Sequence, residues 1–111
     1  MPITLVKKIK ADGTPCRKCG EVERRLEADG LMPRIDRVVV ADERDAGSEG
    51  MQLAAKYGVD QAPFFMVERD DGSVQIYTIF YRFLKEVLNS QASEQEEIAE
   101  LMQQNPELDH L

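Results

Sequence analysis

The chain has 111 residues, 42% of them apolar and 32% charged, and a formal net charge of -7. That length is the size of one domain, and the composition is that of a globular protein rather than a disordered one. The negative charge argues against a nucleic-acid-binding surface, and no apolar stretch approaches the roughly 20 residues a membrane-spanning helix needs.

Ile3–Ile9 is apolar and β-branched and reads as the first strand. Asp12-Gly13-Thr14-Pro15 is a loop of turn residues. A helix is predicted over residues 16–28, with Val22 and Leu26 four apart on its inward stripe. Asp29-Gly30 ends it, Gly30 being suited to a left-handed cap. The second strand covers residues 34–41, where Ile35 and Val38-Val39-Val40 form the short apolar run of a buried parallel strand. Ser48 stands where it can cap a helix over residues 49–57, which would bury Met51, Ala54 and Ala55 and stop at Gly58. Pro63 opens a third strand, Phe64–Glu68. Residues 69–73, centred on Asp71-Gly72, read as a hairpin turn into a fourth strand over residues 74–79. A helix over residues 80–88 then offers Phe80, Phe83, Leu84, Val87 and Leu88 for packing.

The order βαβα then ββα predicts an α/β domain over residues 1–89. A parallel βαβ pair followed by an antiparallel hairpin and a closing helix gives a four-stranded mixed sheet with helices on both faces. Residues 90–111 form an acidic extension. In it Ser93-Glu94-Gln95-Glu96 is a capping box, Ile98, Leu101 and Met102 follow at helical spacing, and Asn105-Pro106 closes the segment. A helix this short does not hold alone, since isolated helices need roughly 12–15 residues. A polar stretch joins it to a domain already closed, so it is expected to dock elsewhere, on a second copy of the chain or a dedicated partner.

The only two cysteines, Cys16 and Cys19, lie in Thr14-Pro15-Cys16-Arg17-Lys18-Cys19, between the first strand and the first helix. The basic residues Lys7 and Lys8 follow the apolar start of the chain, the reverse of a secretory leader, so a cytoplasmic location is expected. Structural disulfides are rare in a reducing compartment, and a CxxC there is catalytic or metal-binding. Residues three apart share one helix face, which allows a reversible disulfide. Cys16, at the helix N-terminus with Arg17 and Lys18 beside it, is the expected attacking thiol, exposed and favoured as an anion. Cys19, a turn deeper, is the expected resolver. Residues 1–25 carry seven basic side chains against three acidic ones, a candidate basic collar for acidic partners. A zinc site within one chain is short of donors, with two Cys and His110 against the four a structural site uses. No metal or other cofactor is expected. An inert pair, and a cluster or metal shared between subunits, remain as alternatives.

With Cys16–Cys19, Tyr57-Gly58-Val59 ahead of Ala62-Pro63-Phe64, and the Asp71-Gly72 hairpin, residues 3–88 resemble the thioredoxin/glutaredoxin-like superfamily. The resemblance implies a thioredoxin-like fold with Pro63 cis and facing the cysteines, and Ala62 pairing through its backbone with an extended substrate segment. It implies a thiol–disulfide oxidoreductase acting on protein disulfides, regenerated by a reductant the sequence does not identify. Arg17 and Lys18 would then tune potential and partner choice. The chain departs from thioredoxins in having no Trp, Arg17-Lys18 inside the motif, and Lys10 at the position of their buried acid. It departs from glutaredoxins in having Tyr77-Thr78-Ile79-Phe80-Tyr81 where they carry a glycine pair. The competing reading is a binding or adaptor module of the same fold, whose cysteine pair is a redox switch or an inter-subunit metal site.

Overall fold

A computed structural model describes residues 2–90 and 94–104. The elements in chain order are β1 (Ile3–Ile9), α1 (Arg17–Ala28), a 3-10 turn (Met32–Arg34), β2 (Arg37–Asp42), α2 (Glu49–Tyr57), β3 (Phe64–Glu68), β4 (Val74–Tyr77), α3 (Phe80–Glu86) and α4 (Glu94–Gln104). The chain divides into two compact units, Met1–Thr78 and Ile79–Leu111.

The first unit is built on a four-stranded mixed sheet in the order β2-β1-β3-β4. β1 runs parallel to β2 and antiparallel to β3, and β4 closes the hairpin with β3. Strand alternation gives the sheet two faces. Val6, Val39, Ala41, Phe64 and Met66 make the core of one face, with Met51, Leu53, Ala54 and Tyr57 of α2 packed against it. α1 covers the opposite face: Lys7 points there, and its Nζ meets Glu23 of α1 at 3.2 Å. Val22 and Leu26, the expected inward stripe of α1, are buried.

Several boundaries differ from the sequence expectation, each for a local reason. β2 starts at Arg37 rather than residue 34, because the amides of Arg34 and Ile35 turn back to Leu31 and Met32 in a 3-10 turn containing Pro33. β4 stops at Tyr77 rather than residue 79, because the Ile79 carbonyl already accepts the Phe83 amide as the start of α3. α3 ends at Glu86, and Asn89 turns away with φ 52°. Ser48 precedes α2 but does not cap it through its side chain. Its Oγ instead accepts the Asp42 amide at 3.0 Å and ties the loop to the end of β2. Ala55 is exposed rather than buried, and the residue of α2 pressed deepest is Gly50. A Cβ built there would lie 2.3 Å from the Ala41 nitrogen and 2.5 Å from the Val40 carbonyl carbon, so the helix rests directly on the β2 backbone. Gly30 takes the left-handed conformation expected of it, with φ 69°, and the Leu31 amide closes α1 on the Leu26 carbonyl at 2.8 Å.

The second unit pairs α3 with α4. Phe80, Phe83, Leu84, Val87 and Leu88 are buried, as their spacing predicts. The tail helix expected to dock on another molecule packs on α3 of its own chain, and it turns its acidic side inward. Glu100, 3% exposed, accepts the Phe80 amide at 2.6 Å and the Tyr81 amide at 2.9 Å. Glu97 accepts from Arg82 at 3.0 Å and from Lys85 at 2.7 Å. Ile98 and Met102, predicted to form a buried stripe, are 50% and 37% exposed. The first amides of α3 lack intrahelical acceptors, and two cations stand on the same helix, so carboxylates satisfy this contact better than methyl groups do. The capping residue Ser93 and the closing Asn105-Pro106 lie outside the described residues.

Candidate functional site

The cysteine turn sits where two strands separate. β3 pairs with β1 as far as Phe64 opposite Val6. One or two pairs further, the same register would set Lys7 opposite Pro63 and Lys8 opposite Ala62. Proline has no amide to give that ladder, and the cysteine turn enters in its place. The Lys8 carbonyl accepts the Cys16 amide at 3.2 Å, and the Lys8 amide donates to Cys19 Sγ at 3.4 Å. Upstream, Asp12 fixes the approach by accepting from the Thr14 amide at 2.9 Å and the Thr14 hydroxyl at 2.6 Å. A bridge between Ile9 and Pro15 completes the return of the chain.

Cys16 is the N-cap of α1 rather than its first helical residue. Its Sγ accepts the Cys19 amide at 3.2 Å, the position a capping oxygen normally fills. The same sulfur lies 4.0 Å from the Ala62 carbonyl oxygen, so both cysteines and the segment before β3 meet at one place. The Ala62–Pro63 peptide bond is cis and Pro63 is buried. Both sulfurs are free thiols. Cys19 is the deeper, at 3% exposed, but Cys16, expected to be exposed, is itself only 8% exposed, because its side chain turns in toward the Cys19 amide and Ala62.

The two thiols have different surroundings. Burial pushes the Cys19 thiol up to about 12, helped by its hydrogen bond with Cys16 and by the neighbouring charges of Cys16 and Glu23; the Lys8 amide acts in the other direction. Cys16 Sγ accepts a backbone amide, that of Cys19.

The expected basic collar is largely matched by carboxylates. Lys7 pairs with Glu23 at 3.2 Å, Lys8 with Glu43 at 3.9 Å and Arg17 with Glu21 at 3.5 Å. The Arg17 side chain is 92% exposed and Lys18 is half-buried, so the pair inside the motif borders the cysteines without closing over them. Lys10, at the resemblance's acid position, is exposed. The acidic group felt by Cys19 is Glu23, which the sequence reading passed over although it lies four residues further along the same helix face. The part played by the Lys8 peptide was also missed, and no side-chain pattern signals it. Among the described residues no three His, Cys, Asp or Glu side chains gather so as to hold a metal ion, and His110 lies outside them.

No family model, curated protein or solved structure matches the chain.

Proposed function

We propose that the protein is a thioredoxin-like thiol–disulfide oxidoreductase that exchanges disulfides with protein substrates. The observation that carries this reading is the unequal pair. Cys16 Sγ accepts a backbone amide at 3.2 Å beside Ala62, while Cys19 is buried one turn behind it and pushed up to about 12.

Cys16 attacks one sulfur of the substrate disulfide as its thiolate. The new bond is a mixed disulfide, and the first substrate thiolate leaves. Cys19 then attacks Cys16 Sγ, forms the intramolecular disulfide and releases the second substrate thiol. The substrate gains two electrons and the cysteine pair loses two, so a dithiol reductant must restore the pair. Ala62, half-buried beside Cys16, is where an extended substrate backbone would lie, with Arg17 and Lys18 at its margin. This chemistry suits a reducing compartment such as the cytoplasm.

The test is catalytic reduction of a protein disulfide with a small dithiol as the electron source. Cys16→Ser abolishes turnover, and Cys19→Ser accumulates mixed disulfides that a thiol reductant releases. A wild-type protein without turnover, whose Cys19→Ser variant traps nothing, sinks this reading and leaves the adaptor module in its place.

A further inference from the structure

β2 lies at one edge of the sheet, and the direction of its backbone groups follows from the ladder it makes with β1. The Ile9 carbonyl accepts the Glu43 amide at 2.9 Å, and Ile9 stands opposite Asp42 in the parallel register. The amides and carbonyls of Arg37, Val39 and Ala41 therefore turn toward β1, and those of Val38 and Val40 turn outward. Asp42 keeps that alternation, its amide reaching outward to Ser48 Oγ at 3.0 Å. Among the described residues, nothing pairs with the outward backbone groups of Val38 or Val40.

Sheet edges are commonly blunted by proline, lysine or a bulge. Val38-Val39-Val40 carries none of these: it is β-branched throughout, its register with β1 is unbroken, and Val38 is 42% exposed. The open window is short, because it is closed at both ends. At one end the Asp42 amide is held by Ser48. At the other the Asp36 amide turns inward to the Ile3 carbonyl at 2.9 Å, and the Asp36 carboxylate accepts the Ile3 amide at 2.7 Å. What remains is two donors and two acceptors, those of Val38 and Val40.

We propose that this edge pairs antiparallel with the same edge of a second copy, Val38 opposite Val40, about a two-fold axis at Val39. A second copy fits the window because the match is complete: every outward group of Val38 and Val40 on each chain finds a partner on the other. A slip of two residues one way sets Val38 against Asp42, and the other way sets Val40 against Asp36, whose amides are both engaged. The charges agree with the same register. Arg37 comes diagonally opposite Glu43 of the second copy on one face, within reach of long side chains, and the two-fold repeats the pair. Arg37 and Glu43 hold their present partners, Glu49 and Lys8, at partly exposed positions, so both can be shared. The one like-charge opposition sets Asp36 against Asp42, and Asp42 is already held by Arg44 through Nε at 3.0 Å and Nη2 at 2.9 Å.

The test is sedimentation velocity with amide hydrogen exchange on the full chain over a concentration series. The wild type moves from the 12.6-kDa mass of one chain toward twice that mass, and the Val38 and Val40 amides exchange more slowly as it does. Val38→Pro removes an outward amide and leaves the β1 ladder whole, at a position where edge strands tolerate proline. It weakens association at least about tenfold, the effect of losing two of the four interchain hydrogen bonds. Val38→Lys, which changes only an exposed side chain, sets a cation on each strand near its counterpart and weakens association in the same direction. Melting temperatures measured on dilute protein verify that both variants fold. A wild type that stays a single chain up to about 1 mM overturns the proposal and leaves the edge to a strand from a different protein. Association that persists in both variants, with the Val38 and Val40 amides exchanging as fast as in dilute protein, also overturns it and places the contact on another surface.

Discussion

A Cys16→Ser variant isolates the buried thiol and lets its environment be measured. At pH 7 an ordinary thiol near pKa 8.5 is about 3% ionised, whereas one near 12 is about 0.001% ionised, a roughly 3,000-fold smaller supply of nucleophile. The more basic thiolate is intrinsically more reactive, and a Brønsted slope of about 0.4–0.5 over that interval returns a factor of about 25–55. With every cause of the shift in place the deficit would be about 100-fold; in the variant, which lacks the Cys16 sulfur, Cys19 should still react more slowly with a small disulfide than a free model thiol does, by less than that factor unless burial blocks approach. The assay is the second-order rate constant as a function of pH. The free thiol levels off above about pH 8.5, whereas Cys19 should still be climbing there. Deleting the Cys16 sulfur removes its hydrogen bond and its charge; burial, the largest cause, and Glu23 stay. A profile that levels near pH 8.5 with an ordinary plateau would refute the reasoning, because it would mean that burial does not control this thiol.

Three further outcomes follow from the same geometry. Because the Cys19 thiol is raised in the folded state, the stability it contributes is present below its unfolded value, about 8.5, and is lost as pH rises toward 12; Cys19→Ala should flatten the alkaline limb of a melting-temperature profile relative to wild type. Gly50→Ala places a methyl group 2.3 Å from a β2 backbone atom, and overpacking of about 1–3 kcal/mol outweighs the roughly 1 kcal/mol of helix propensity gained, so the melting temperature should fall by several degrees; an unchanged value would mean that α2 can lift off β2 freely. On α4, Glu100→Ala strips one buried and one partly buried amide of their acceptor and should cost about 1–3 kcal/mol, whereas Glu97→Gln, facing partly exposed cations, should cost less than about 1 kcal/mol. The Glu97 share has a pH signature: Lys85 and Arg82 hold its carboxyl below the usual range, so the stabilisation is present above about pH 4.5 and fades as pH falls through the depressed value, and a wild-type and Glu97→Gln difference that persists at pH 2 would contradict it.

Much of the sheet was legible because its strands carry period-2 or continuous apolar runs between turn residues. Ile3–Ile9 and Phe64–Glu68 match to the residue, and Gly30 and Gly58 punctuate the helices where backbone with φ 69° and φ 66° is required. The boundaries that moved are those where a backbone amide had two possible acceptors. Pro33 and Ile79 decide theirs through turn and cap hydrogen bonds that hydrophobic periodicity does not encode. Gly50 was invisible for a similar reason: its role is the absence of a side chain against the β2 backbone, and a pattern of apolar residues registers only side chains that are present.

The tail helix shows where periodicity points the wrong way. Ile98, Leu101 and Met102 have the spacing of an inward stripe, yet Ile98 and Met102 face out. The partner surface decides. α3 opens with amides that need acceptors and carries Arg82 and Lys85, so a helix rich in glutamate gains more by turning Glu97 and Glu100 toward it than by burying two aliphatic side chains.

The cysteine pair is the converse case, since its residue types were plain but their inequality was not. Two thiols three residues apart in a free peptide would have much the same surroundings. Here one peptide unit divides them. Lys8 lies just beyond the end of the β1–β3 ladder, so both its amide and its carbonyl are available to the incoming turn. The carbonyl draws in the backbone of Cys16 and leaves that sulfur to cap α1, while the amide draws in the sulfur of Cys19 and buries it. Pro63 stands at the matching end of β3, where an ordinary residue could extend the ladder and close the gap that the turn occupies. The asymmetry on which the proposed dithiol exchange would depend thus comes from where two strands stop pairing, and the CxxC spacing supplies only the two sulfurs on which that geometry acts.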